Sequence, residues 1–169
     1  MKESATLELA KNVAYEAHAG QFMKDGITPY TKHPEWIAHQ LCAAGYSQYT
    51  QAVAYLHDVP EDTANNPEPV TARMLLSLDF DYDQIVEPVE LLTHYPRLGL
   101  DKDQQIRRLA PNLRSRAVKR FDLIHNMDFA RLGLVWEDLT IEDQAYSQEA
   151  IYAYARRLAY LSTLGFPIV

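Results

Sequence analysis

The adjacent pair His57-Asp58 is the first chemical signal in this sequence. Imidazole nitrogen and carboxylate oxygen are both good ligands for a divalent first-row metal. Neighbours on a regular helix diverge by about 100°, so both reach one ion only near a helix end or distortion. Pro60 supplies a reason for such an ending. Taken alone, the dipeptide reads as a surface pair, and its companions are what give it interest. His33 precedes Pro34 at the mouth of another helix, where a lone histidine is ordinarily a helix-end hydrogen bonder. Glu61 and Asp62 follow Asp58 by three and four positions and share its face if the helix persists. Three acids there repel one another unless a cation or proton is present; the plain alternative is a solvated acidic cap. Asp122 is flanked by Phe121, Leu123 and Ile124, and an acid on so apolar a helix needs a partner. Asn126 lies one turn on, and a salt bridge to Arg120 or Arg131 is the ordinary alternative.

The elements that must position these residues read as almost all helix. Leu7, Leu9, Ala10, Val13, Ala14 and Ala17 recur at helical spacing, with Ser4 and Thr6 as candidate N-caps. Gly20 to Tyr30 reads as a loop. Pro34 suits the first turn of a second helix that stops near Gly45. Ser47 caps a third, running to His57. Thr63 to Pro69 is the clearest loop. Thr71 starts a short helix bearing Met74, Leu75 and Leu76. Asp81 or Asp83 caps another through Leu92, with Pro88 early in it. Tyr95 to Gly99 is a turn, and a short segment runs from Asp101 to Leu109. A long helix is expected from Asn112 to Leu132 and a final one from Glu142 to Leu164, ended by Gly165 and Pro167. No strand alternation exceeds four residues, and no repeat or linker is visible.

The chain has 169 residues, 47% hydrophobic and 23% charged, which is ordinary globular usage and predicts one domain over 1–169. No apolar run approaches the roughly 18 residues of a membrane span, and the polar start has no signal-peptide core. The single cysteine, Cys42, makes no internal disulfide and is expected as buried packing; a reducing cytoplasm is the natural home. Net charge is −7, a field that repels nucleic acid. A small anionic substrate stays open, because a bound cation or a basic pocket reverses the sign locally.

Several sequence words narrow the chemistry. Ala17-His18-Ala19-Gly20-Gln21, Lys24-Asp25-Gly26, Thr28-Pro29-Tyr30 and His33-Pro34 come first. Leu56-His57-Asp58-Val59-Pro60-Glu61-Asp62-Thr63 and Val118-Lys119-Arg120-Phe121-Asp122-Leu123-Ile124-His125-Asn126-Met127 follow. Together they resemble the hydrolase domain of RelA/SpoT homologues, within the HD superfamily of metal-dependent phosphohydrolases. The resemblance runs from about Leu9 to Leu161, so the chain looks like a stand-alone small alarmone hydrolase. It implies an all-α HD-domain bundle of about eight to ten helices holding one manganese ion. By position it makes His33, His57, Asp58 and Asp122 the metal ligands. Glu61 and Asp62 match the acidic pair that handles the attacking water. Asn126 matches a residue near the substrate ribose, and Lys24 and Tyr30 fall in the segment lining the nucleotide pocket. The implied reaction removes the 3′-pyrophosphate of (p)ppGpp, giving GDP or GTP and pyrophosphate. A divalent cation suits it, because it polarises phosphoryl oxygens and eases deprotonation of water.

The sequence also departs from that pattern. Met23 stands where the family has an arginine that stacks on guanine. Pro60 replaces a common valine, Phe121 a small residue, and Asp128 a basic or neutral one. Two further readings therefore accompany the first: an HD phosphohydrolase acting on a different nucleotide, and a catalytically silent metal-binding regulatory protein. The intact Glu61-Asp62 pair speaks against silence. The run Arg107, Arg108, Arg114, Arg116, Lys119 and Arg120 reads as a solvated helix face, or as a cup for a pyrophosphate or for a partner's acidic surface. His18 is a candidate pocket residue, and His125 merely flanks Asn126. The tyrosines near the C-terminus, Tyr146 among them, read as core and interface. The expected partners are a nucleotide substrate and a possible second copy of the chain, with neither nucleic acid nor membrane.

Overall fold

The computed structural model describes residues 2–128 and 140–165, with Tyr146 by its backbone alone. The class is all-α. The described helices are α1 (Glu3–Ala17), α2 (Lys32–Ala43), α3 (Gln48–Leu56), α4 (Val59–Asp62), α5 (Ala72–Ser77), α6 (Glu87–Leu92), α7 (Lys102–Leu109), α8 (Leu113–Met127) and α9 (Ile141–Thr163). Among the described residues there is no strand; a lone bridge joins Phe22 to Pro29. None of the described helices is long and apolar enough to cross a membrane.

α3 is the central element and packs against α1, α2 and α8. Its Ala52, Val53, Ala54 and Leu56 are fully buried, and small residues at three of those places let the neighbouring helices come close. Ile37 and Leu41 of α2, Val118 and Leu123 of α8 and Val89 of α6 close the core around it. Ser47, Thr71 and Asp81 cap as their spacing predicts, accepting from the backbone N–H of Thr50, Met74 and Gln84. Asp101 and Gln104 form a full capping box at the start of α7.

Several expectations need correction. Ser4 and Thr6 do not cap α1: the helix begins at Glu3, and the Thr6 hydroxyl bonds back to the Lys2 carbonyl. The helix expected from Asp81 opens as a wide π turn, Tyr82–Val86, before α6. Pro88 has no N–H for the Gln84 carbonyl, so the regular ladder cannot run through. Cys42 is exposed rather than packed in the core. Met74 and Leu76 are exposed too; α5 buries Leu75. Arg116 and Arg120 are buried, with Arg116 donating to the Ala110 carbonyl and Arg120 to Ser162, so the basic run is neither a solvated face nor a single cup. The long helix expected to reach Leu132 ends at Met127, where Asp128 turns to an extended conformation; Arg131, Leu132, Pro167 and the Tyr146 side chain lie outside the described residues.

Candidate metal centre

α3 stops at Leu56, and His57 and Asp58 form the turn into α4. Pro60, near the start of α4, offers no N–H to the Leu56 carbonyl, so the ladder breaks at this point. The break turns the two adjacent side chains to one side. His57 Nε2 lies 3.0 Å from Asp58 Oδ2. His33, in the first turn of α2, brings its Nε2 to 3.5 Å from the same oxygen. Asp122, from the middle of α8, sets Oδ1 at 3.2 Å from His33 Nε2 and 3.9 Å from His57 Nε2. Ligand atoms of His33, His57 and Asp58 all lie within 4.8 Å of one another. Donors about 2.1 Å from a shared ion stand about 3 Å apart when adjacent and about 4.2 Å apart across it. The observed spacings span that range.

The chemistry of the donors also fits a cation. The His57 Nδ1–H donates to the Ala54 carbonyl at 2.8 Å, which leaves Nε2 as a lone pair. That atom is buried and forms no aligned hydrogen bond with any described residue. A bare lone pair facing carboxylate oxygens is repulsive unless something positive sits between them. In the metal-free protein a proton takes that part. Burial disfavours a charged His57 ring, but Asp58 and then Asp122 outweigh it and raise the ring to about 9. Burial pushes the Asp58 carboxyl up, yet His57 and His33 beside it hold it below the usual range. For Asp122, Lys119 is the chief force overcoming burial and keeping the carboxylate ionised.

Further donors orient the carboxylates. The Tyr30 hydroxyl donates to Asp58 Oδ2 at 2.6 Å. Burial, and then the Asp58 charge, push the Tyr30 phenol upward, so it remains a donor. Lys119 reaches Asp122 Oδ2 at 2.6 Å, and Asn126 donates to Asp122 Oδ1 at 2.6 Å. The cation paired with Asp122 is thus Lys119, one turn back on α8, and not Arg120.

The two acids of α4 separate. Glu61 lines the cavity beside the cluster, its Oε2 accepting the His94 backbone N–H at 3.1 Å. Asp62 turns toward His18, with Oδ2 3.8 Å from Nδ1. Partial burial and the Asp58 charge push the Asp62 carboxyl up to about 6. The proton-or-cation requirement of three neighbouring acids is visible in that shift. His18 itself is buried, bonded to Gln21 at 2.9 Å and packed on the Tyr30 ring at 4.8 Å; burial lowers its pKa.

The cavity measures about 430 Å³, within the range of small-molecule sites. His33, Asp58 and Asp122 form part of its wall, and Lys24, Tyr30 and Asn126 line it as well. So do Lys102 of α7, Lys119 of α8 and Arg157 of α9, cations that supply a positive lining to an acidic chain. Arg157 is held by Asp103 at 2.7 Å, which ties α9 to α7. Met23, buried, shares the cavity wall. Lys102, Arg157, His94 and Gln105 were not singled out in the sequence; each reaches the cavity through packing between elements distant in the chain, and only the basic character of the first two is a local signal. No family model matches this chain.

Proposed function

We propose that this protein is a manganese-dependent nucleotide pyrophosphohydrolase of the small alarmone hydrolase type, removing the 3′-pyrophosphate of (p)ppGpp or a related nucleotide. The observation that carries the reading is the meeting of four side chains, with His33, Asp58 and Asp122 on the wall of a cavity with cationic lining and His57 Nε2 3.0 Å from Asp58 Oδ2. His33 and His57 through Nε2, and Asp58 and Asp122 through their carboxylates, would hold one divalent ion. When bound, such an ion supplies Lewis acidity to a phosphoryl oxygen and to the attacking water. The chain's own residues do the rest. Lys24, Lys102 and Arg157 bind phosphate oxygens by charge, and Glu61, on the cavity wall, takes a proton from water. Tyr30 and Asn126 keep the two carboxylates oriented. Asp62, farther off beside His18, acts on the charge of the cluster.

Met23 favours a second reading, an HD phosphohydrolase acting on another nucleotide. A thioether packs on a ring of any base and lacks the fork of donors that would select guanine.

A panel of nucleotides with Mn²⁺, scored for pyrophosphate against orthophosphate, tests both. Pyrophosphate released from ppGpp is the expected result. Orthophosphate from a mononucleotide moves the protein to the second reading. A tightly held ion with no turnover on the whole panel refutes hydrolysis and leaves a metal-binding regulatory protein.

A further inference from the structure

His125 lies three residues beyond Asp122 on α8 and is buried. Its Nδ1 stands 2.6 Å from His33 Nδ1, across 92 positions of sequence. The two ring planes differ by 12° with centroids 4.8 Å apart. With the nitrogens so near, these rings meet edge to edge and share an in-plane hydrogen bond. On its other side the His125 ring lies flat on Trp36, centroids 4.4 Å apart and planes 10° apart. The Trp36 stack fixes the plane of His125, and α8 fixes its place.

Only one proton fits between two nitrogens at that distance. A neutral His33 has one N–H, and its Nε2 faces Asp122 Oδ1 and the His57 ring. For Nε2 to offer a lone pair to an ion, the proton must sit on Nδ1, and something must accept it there. The acceptor in this chain is an imidazole, where a carboxylate or carbonyl commonly serves.

We propose that His125 is a positioning residue that accepts the His33 Nδ1–H and so aims His33 Nε2 at the metal. The inference rests on the metal reading given above. It separates two properties of His125, the flat ring that stacks on Trp36 and the acceptor at Nδ1. His125→Phe keeps the ring and deletes the acceptor. His125→Asn keeps an acceptor close to the place of Nδ1 and deletes the ring.

The test is calorimetric titration of Mn²⁺ into metal-stripped full-length protein, wild type and both variants, with melting curves to confirm folding. His125→Phe should bind Mn²⁺ about 10–100-fold more weakly, the usual cost of losing such a support. His125→Asn should recover most of that loss. Equal affinity of the Phe variant and wild type overturns the inference alone, as does an Asn variant no better than Phe. Absence of Mn²⁺ binding by the wild type overturns the metal reading and this inference with it.

Discussion

Removing Asp58 is the sharpest perturbation of the candidate centre, because its Oδ2 touches both imidazoles and the Tyr30 hydroxyl. Asp58→Ala leaves two imidazoles and Asp122, whose own charge is already engaged by Lys119. The expected effect is read as a melting shift on adding Mn²⁺. An ion that binds only the folded state at one hundred times its Kd stabilises by about 2.7 kcal/mol. For a chain of 169 residues, each kcal/mol moves Tm by about 2–4 °C. The wild type should therefore gain about 5–11 °C at that concentration. If Asp58→Ala weakens Kd a hundredfold, the same Mn²⁺ gives RT ln 2, about 0.4 kcal/mol, and a shift below about 2 °C. The assay is differential scanning fluorimetry of metal-stripped protein across a Mn²⁺ series, with metal content measured after dialysis. Turnover should disappear with the ion. A variant that gains as much Tm as the wild type, or retains its metal through dialysis, would show that Asp58 is not a ligand and that the geometric argument is wrong.

Three other outcomes are expected. Glu61→Gln should retain Mn²⁺ and lose most of the rate, measured as pyrophosphate release; near-normal turnover removes Glu61 from the chemistry. The Asp62 carboxyl, raised to about 6 in the folded protein against an ordinary 3.8, should titrate near there in carbon-detected NMR. Because its folded pKa lies above the unfolded value, folding is favoured when it is protonated, and that contribution is lost as pH rises through about 6; Asp62→Asn should remove this dependence from the stability of the metal-free protein, and an unchanged profile contradicts the assignment. Leu56→Ala, at a fully buried position one residue before His57, should cost about 2–5 kcal/mol in urea unfolding, and a cost under about 1 kcal/mol would mean that α3 is not the centre of the core.

What the sequence revealed follows the range of the interactions. Caps act over three residues, so Ser47, Thr71 and Asp81 could be read directly, and Pro60 announced the break that aims His57 and Asp58. The same local logic failed at Thr6, because a threonine hydroxyl satisfies a carbonyl inside a helix as readily as it caps one. Charge runs misled for a different reason. Arg116 and Arg120 look like surface residues until α8 is packed, when their guanidinium groups serve carbonyl and hydroxyl partners in the interior. Asp122 plainly needed a partner, and Lys119 and Arg120 stood beside it in sequence; helical phase selects Lys119 at three residues back. His125 offered least of all. Trp36 and His33, which it meets, are distant in sequence, so its own neighbours in the chain do not mark it out from a residue that merely precedes Asn126. The division of Glu61 and Asp62 was equally hidden, since it depends on His94 and His18 arriving from other elements.

The donors of the centre come from the head of α2, the break after α3 and the middle of α8. These pieces meet only after the intervening chain has collapsed. If the proposed ion binds, metal per polypeptide becomes a census of properly assembled molecules. A stoichiometry short of one would then reveal a misfolded fraction before any loss of helix content registers.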